Sequence, residues 1–106
     1  MIHITVFTPL YNRTPLLEGL YKSLLKQNYH SFEWVIVDDG STDNAEQIVN
    51  TFIGDAIHTF PISYIWKENG GKHTAINRGV EEAKGELFLI LDSDDTLPAD
   101  SLATIA

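Results

Sequence analysis

The sequence predicts an α/β fold: a doubly wound, mainly parallel sheet with helices on both faces. Three observations predict it. Apolar runs of strand length recur four times, helical apolar stripes lie between them, and polar turns rich in Asp, Asn or Gly follow the runs. A chain of 106 residues is enough for one compact domain around a single core.

Ile2 to Thr8 is apolar and β-rich, and "PLYNRTP" breaks it. Thr14 can cap a helix with Pro15 at its first position, where a missing N–H costs nothing. Leu16, Leu17, Leu20, Leu24 and Leu25 then mark one apolar stripe, ending near Gln27. Phe32 to Val37 is a second strand, nearly continuous in apolar residues, and "DDGSTD" is the turn after it. Asp43 with Glu46 three residues on has the form of a capping box, opening a short helix over Ile48, Val49 and Phe52. Ile62 to Trp66 is a third strand, followed by the loop "KENGGK". His73 to Ala83 reads as a helix closed by Lys84 and Gly85, a cation and then a glycine. Leu87 to Leu91 is the fourth strand, and another helix starts at Asp100.

Each of "TPLYNR", "DDGSTD", "KENGGK" and "DSDD" follows a strand, so right-handed crossovers gather all four on one sheet edge. Ligands of such sheets sit beyond the carboxyl ends of the strands. Loops on the opposite edge, around residues 28–31, 54–61 and 84–86, carry far less convergent chemistry.

Composition narrows the ligand. A net charge of -8 argues against nonspecific nucleic-acid binding, which needs a basic face. There is no cysteine, hence no disulfide and no thiolate metal site. No apolar run is long enough to cross a bilayer and the N-terminus lacks a secretion-signal pattern, so the expected location is cytoplasmic or at the cytoplasmic face of a membrane.

The fourth strand ends in Asp92, Asp94 and Asp95. If the backbone stayed extended, Asp92 and Asp94 would point one way, with Ser93 and Asp95 the other. Clustered carboxylates repel unless a cation sits among them or one stays protonated, and hard oxygens suit Mg²⁺ or Mn²⁺. The alternative is a solvated turn in which Asp95 or Asp100 caps the next helix. Asp38 and Asp39 either tie down turn amides or accept a base N–H. Lys72 and Arg78 are the cations expected nearest a strand-end loop, where Gly70, Gly71 and the start of the third helix could meet a diphosphate.

Taken together, "ITVFTPLYNR", "WVIVDDGSTD", "NGGKHTAINRGVEEAKGE" and "LFLILDSDD" resemble, in this order and spacing, the N-terminal half of family 2 glycosyltransferases of GT-A, Rossmann-like fold. The likeness spans roughly Ile2 to Leu102. It implies a nucleotide-sugar-binding domain over residues 1–106, ending after the fourth strand, with the acceptor-binding half absent and the general base beyond Ala106. By position, Thr8, Pro9, Tyr11, Asn12 and Arg13 would surround base and ribose. Asp39 would contact uracil with Asp38 in support, and Gly71, Lys72 and Asn77 would lie near ribose and phosphates. Asp92, Ser93 and Asp94 match the family's DXD motif: Asp92 and Ser93 on the nucleotide side, Asp94 on the metal, with Asp92 and Asp95 as further metal ligands. The implied reaction is metal-dependent, inverting transfer from a nucleoside-diphosphate sugar, UDP first and thymidine diphosphate next, to a carbohydrate or lipid-linked acceptor. The fragment itself would bind donor without turnover, and its open sheet edge offers a route to a homodimer.

Two other folds of this class fit less well. A receiver-like signalling domain would carry its acidic pair after the first strand, where this chain has Thr8-Pro9. A dinucleotide-binding oxidoreductase would carry G-x-G-x-x-G there. A noncatalytic nucleotide- or partner-binding module remains a further alternative.

Overall fold

The computed structural model describes residues 2–55 and 57–106; Met1, and Ala56 within the expected 54–61 loop, lie outside them. Strands β1 (Ile4–Leu10), β2 (Phe32–Asp39), β3 (Ile62–Lys67) and β4 (Leu87–Ile90) form one sheet in the order β3-β2-β1-β4. Every pairing is parallel. Helices α1 (Leu17–Leu25), α2 (Ala45–Ile53), α3 (Lys72–Glu82) and α4 (Ser101–Ile105) cover both faces, as expected.

Strand alternation divides the core. Ile4, Val6, Leu10, Phe32, Trp34 and Ile36 pack with Leu20 and Leu24 of α1, Val49 and Phe52 of α2 and Leu102 of α4. Phe7, Val35 and Val37 point to the other face, against Ala75 of α3. Gly79 lets α3 lie close: a Cβ there would come 2.3 Å from the Phe7 ring. The chain runs from β1 outward to β3, then returns to place β4 on the far side of β1. The reversal opens a crevice between the carboxyl ends of β1 and β4, where such sheets bind ligands.

Several boundaries differ from expectation for local reasons. β1 continues through Pro9 to Leu10, because its pairing with β4 stops at Phe7–Ile90 and leaves the proline past that pairing. Thr14 begins a short 3-10 turn (Thr14–Leu16) instead of capping an α-helix, and Arg13 holds the cap position. The Asp43–Glu46 capping box does not form: Asn44 is the N-cap of α2, with no side-chain hydrogen bond. Asp43 instead accepts the Thr14 hydroxyl (2.8 Å) and backbone N–H (3.2 Å). Gly85 has no left-handed backbone to supply. Its smallness serves a close approach, since a Cβ would lie 2.6 Å from Thr5 N.

The Asp43–Thr14 link ties the loop after β2 to the loop after β1. Asp43→Ala should cost about 1–2 kcal/mol in urea unfolding, as expected for a charge-assisted hydrogen bond. That loss should be smaller in a Thr14→Val background, where the hydroxyl bond is already gone and only the backbone N–H bond remains to be lost; an undiminished loss would mean that the hydroxyl bond contributes nothing.

Candidate functional site

Asp39 ends β2, in register with Lys67 at the end of β3, and its side chain is buried. Oδ1 accepts from Lys67 Nζ (2.6 Å) and Gly70 N (2.9 Å), and Oδ2 accepts from Gly71 N (3.0 Å). Burial alone would raise the Asp39 pKa. The hydrogen bond from Lys67, those from Gly70 and Gly71 and the ammonium charge outweigh it, holding the carboxyl below its ordinary 3.8. Two glycines make this wrapping possible. Gly71 sits at φ 98° just before α3, and Gly40 at φ 84° leaves room for Asn69, whose N would lie 2.8 Å from a Cβ there. Asn69 Nδ2 also donates to the Asp39 carbonyl (3.0 Å).

Asp38 points to the opposite face and is consumed structurally. It accepts Ser41 N (2.8 Å) and the Tyr64 hydroxyl, and Tyr64's pKa is raised by its burial and by this carboxylate.

At the end of β4 the chain turns at once, so extended alternation does not apply to the acidic triplet. Asp95 N donates to Asp92 O (3.0 Å) and Asp92 N donates to Asp95 Oδ2 (2.8 Å). This turn brings Asp92, Asp94 and Asp95 to one side, with carboxylate oxygens within 4.8 Å of one another. All three are exposed. Asp95 caps the triplet's own backbone, while Asp100 is the N-cap residue of α4 without a side-chain hydrogen bond. Lys72 Nζ reaches Asp92 Oδ1 (3.0 Å), an exposed pair across the crevice mouth.

A cleft of about 520 Å³ joins these parts, lined by Pro9, Tyr11 and Arg13 from the first loop, by Asp39, by Asn69, Gly71 and Lys72, and by Asp92, Ser93 and Asp94. Asp39 and Asp94 therefore share one concavity. Not every sequence-predicted residue reaches it. Thr8 is fully buried and accepts Trp34 Nε1 (3.0 Å). Asn12, at φ 52°, accepts Thr42 N (2.8 Å) and fixes the two loops together. Asn77 lies on the exposed side of α3, and Arg78 pairs with Glu82. Lys67 was missed by sequence reasoning and is the cation at Asp39. The signal was available: a lysine ending a strand, of the same side-chain parity as Asp39 in the parallel register.

The acidic triplet suits a hard divalent cation. Its oxygens converge, and among the described residues Lys72 is the one cation paired with it. Arg13 faces the same cleft without an ion-pair partner among the described residues.

Residues 5–106 match the family model of glycosyl transferase family 2. Glycosyltransferase GlyG of Streptococcus pneumoniae serotype 4 is 37% identical over 103 residues, covering 96% of this chain and 33% of GlyG. The putative teichuronic acid biosynthesis glycosyltransferase TuaG of Bacillus subtilis is 37% identical over 101 residues, 93% of this chain and 38% of TuaG. The crystal structure of S. aureus TarS 1-349 superposes with a TM-score of 0.88 at 31% identity, covering 98% of this chain and 31% of that one; TarS 1-349 is also known with UDP and with UDP-GlcNAc. Mannosyltransferase PcManGT from Pyrobaculum calidifontis, in complex with GDP-Man and Mn²⁺, superposes at 0.86 with 30% identity, covering 95% and 30%. This chain spans about a third of the length of these relatives. It belongs to glycosyl transferase family 2, and its fold is GT-A.

Proposed function

We propose that this chain is the donor-binding part of a glycosyltransferase that takes its sugar from a uridine-diphosphate sugar with the help of a divalent metal ion. One observation carries the reading: a cleft at the sheet's reversal point holds an ionised, backbone-clasped Asp39 at one place and the Asp92–Asp94 turn at another. Asp39 is suited to accept an imide N–H, and Tyr11, half exposed on the cleft wall, offers a ring on which a base can stack. Lys72, Arg13 and the N-terminal end of α3 supply positive potential for a diphosphate. Asp94, with Asp92 and Asp95, would hold Mg²⁺ or Mn²⁺. Bound there, the ion would supply Lewis-acid stabilisation of charge on the departing diphosphate. Lys72 must then exchange Asp92 for phosphate, an exchange made easy by the exposure of that pair. The UDP complex of TarS and the Mn²⁺ complex of PcManGT support donor class and metal, while the GDP-Man of PcManGT is the competing donor chemistry. A carbohydrate or lipid-linked acceptor and a cytoplasmic setting complete the proposal; no helix among the described residues is long and apolar enough to span a membrane.

The test is a thermal-shift panel of nucleoside diphosphates with and without Mn²⁺. UDP at 100 times its dissociation constant should stabilise the fold by about 2.7 kcal/mol. The shift should require Mn²⁺, disappear in Asp94→Ala and survive in His30→Ala, which lies away from the cleft. A UDP shift of equal size in Asp94→Ala would reject the metal site.

A further inference from the structure

Lys67 has all three ammonium hydrogens engaged: Asp39 Oδ1 and the Glu68 carbonyl at 2.6 Å each, and Thr74 Oγ1 at 2.8 Å. Gly70 closes over this knot, where a Cβ would stand 3.2 Å from Nζ and 3.0 Å from Thr74 Oγ1. The clasp joins the end of β2, the loop after β3 and the first turn of α3. Its consequence lies in the acceptor count of Asp39. A carboxylate oxygen accepts roughly two hydrogen bonds. Oδ1 already receives Lys67 Nζ and Gly70 N, whereas Oδ2 receives only Gly71 N. One acceptor position remains, on Oδ2.

We infer that Lys67 is a specificity-determining residue of the donor site: by filling Oδ1 it leaves Asp39 a single acceptor, which matches a base with one N–H on its recognition edge and not one with two. Uracil and thymine present one imide N–H between two carbonyls. Guanine presents N1–H beside a 2-amino group and asks for both carboxylate oxygens. In this cleft the guanine amino group would be desolvated without a partner, a costly outcome for a donor. The inference rests on the reading that Asp39 faces the base, and it adds a reason for uridine over guanosine that the shared fold does not supply.

Inosine diphosphate isolates the amino group, because it keeps N1–H and lacks the 2-amino. Calorimetric titration of the chain in Mn²⁺ should give UDP binding at least tenfold tighter than GDP, and IDP at least as tight as GDP. Lys67→Met opens a position on Oδ1, so GDP should gain severalfold relative to IDP and the UDP preference should narrow. Lys67→Arg keeps donors on Oδ1 and should keep the wild-type order. UDP affinity of Lys67→Met should also fall more steeply between pH 7 and 5 than that of the wild type, in which the terminal phosphate alone titrates, since the carboxylate has lost its cation. A purely structural lysine would lower thermal stability and leave base ratios and pH profile alone. GDP binding the wild type more tightly than IDP would overturn the inference with no variant needed. So would an unchanged GDP-to-IDP ratio in folded Lys67→Met. Absence of any nucleotide binding by the wild type would instead bring down the donor-site reading, and this inference with it.

Discussion

Asp39→Ala should destabilise the fold by about 3 kcal/mol at pH 7, lowering the Tm by more than about 10 °C. The substitution removes the acceptor for Gly70 N and Gly71 N and strands Lys67, whose side chain is only 20% exposed. Losing one partner of a buried pair typically costs about 3–5 kcal/mol, and the partial exposure of Lys67 sets the lower end. The pH dependence follows from the direction of the Asp39 shift. Its folded pKa is depressed, so the stabilisation is fully present above the unfolded value of 3.8 and is lost as pH falls through the folded value. Urea unfolding of wild type and Asp39→Ala should therefore differ most at neutral pH and converge as pH drops below 3.8. A gap that stays constant from pH 7 to 3 would mean that the carboxylate charge contributes nothing. The same experiment has a functional edge, because an ionised Asp39 at neutral pH is what a base N–H requires.

The element order and the polar edge were legible because they depend on local pattern. Each apolar run of β length lay between helical stripes, and parallel topology leaves little choice about which loops share an edge. Asp39, Lys72, Asp92 and Asp94 were placed on one edge this way, and they line one cleft. What escaped depended on contacts distant in sequence. Asp43 has the local form of a cap, yet Thr14, 29 residues earlier, takes its carboxylate. Lys67 reads as the first residue of the loop "KENGGK" until the observed strand, which runs through it, sets it beside Asp39 in the β2–β3 register. Strand alternation would have turned Asp95 away from Asp92 although the family resemblance makes both metal ligands; β4 stops at Ile90 and a turn replaces alternation with convergence. Gly85 has the position of a helix stop, and only the packing of the α3–β4 connection on Thr5 discloses its use. At Asp43, Lys67 and Gly85 a local rule was outweighed by a hydrogen bond or steric limit from a segment distant in sequence, and at Asp95 by a turn that starts where the strand stops.

Trp34→Ala should be the most damaging single truncation, at about 3–5 kcal/mol. The ring is fully buried, and parallel stacking places Tyr21 and Phe52 at centroid distances of 6.1 Å from it. The Tyr21 hydroxyl is in turn held on Asp55, and burial together with that bond pushes its pKa up to about 12. Trp34 also carries a polar obligation, since Nε1 donates to the buried Thr8 hydroxyl at 3.0 Å. Trp34→Phe and Thr8→Val should therefore each cost about 1–3 kcal/mol by orphaning the other partner, beyond any volume change. The double variant should cost clearly less than their sum, because both polar partners leave together. Thr8 makes the comparison informative about the site as well. Its side chain is turned into the α1–α2 side of the sheet, whereas Asp39 belongs to the α3 side, so Thr8→Val should leave UDP affinity in Mn²⁺ unchanged while lowering stability. If UDP binding instead fell tenfold in a folded Thr8→Val protein, the first loop would have to rearrange on binding, and Thr8 would rejoin the residues that hold the donor.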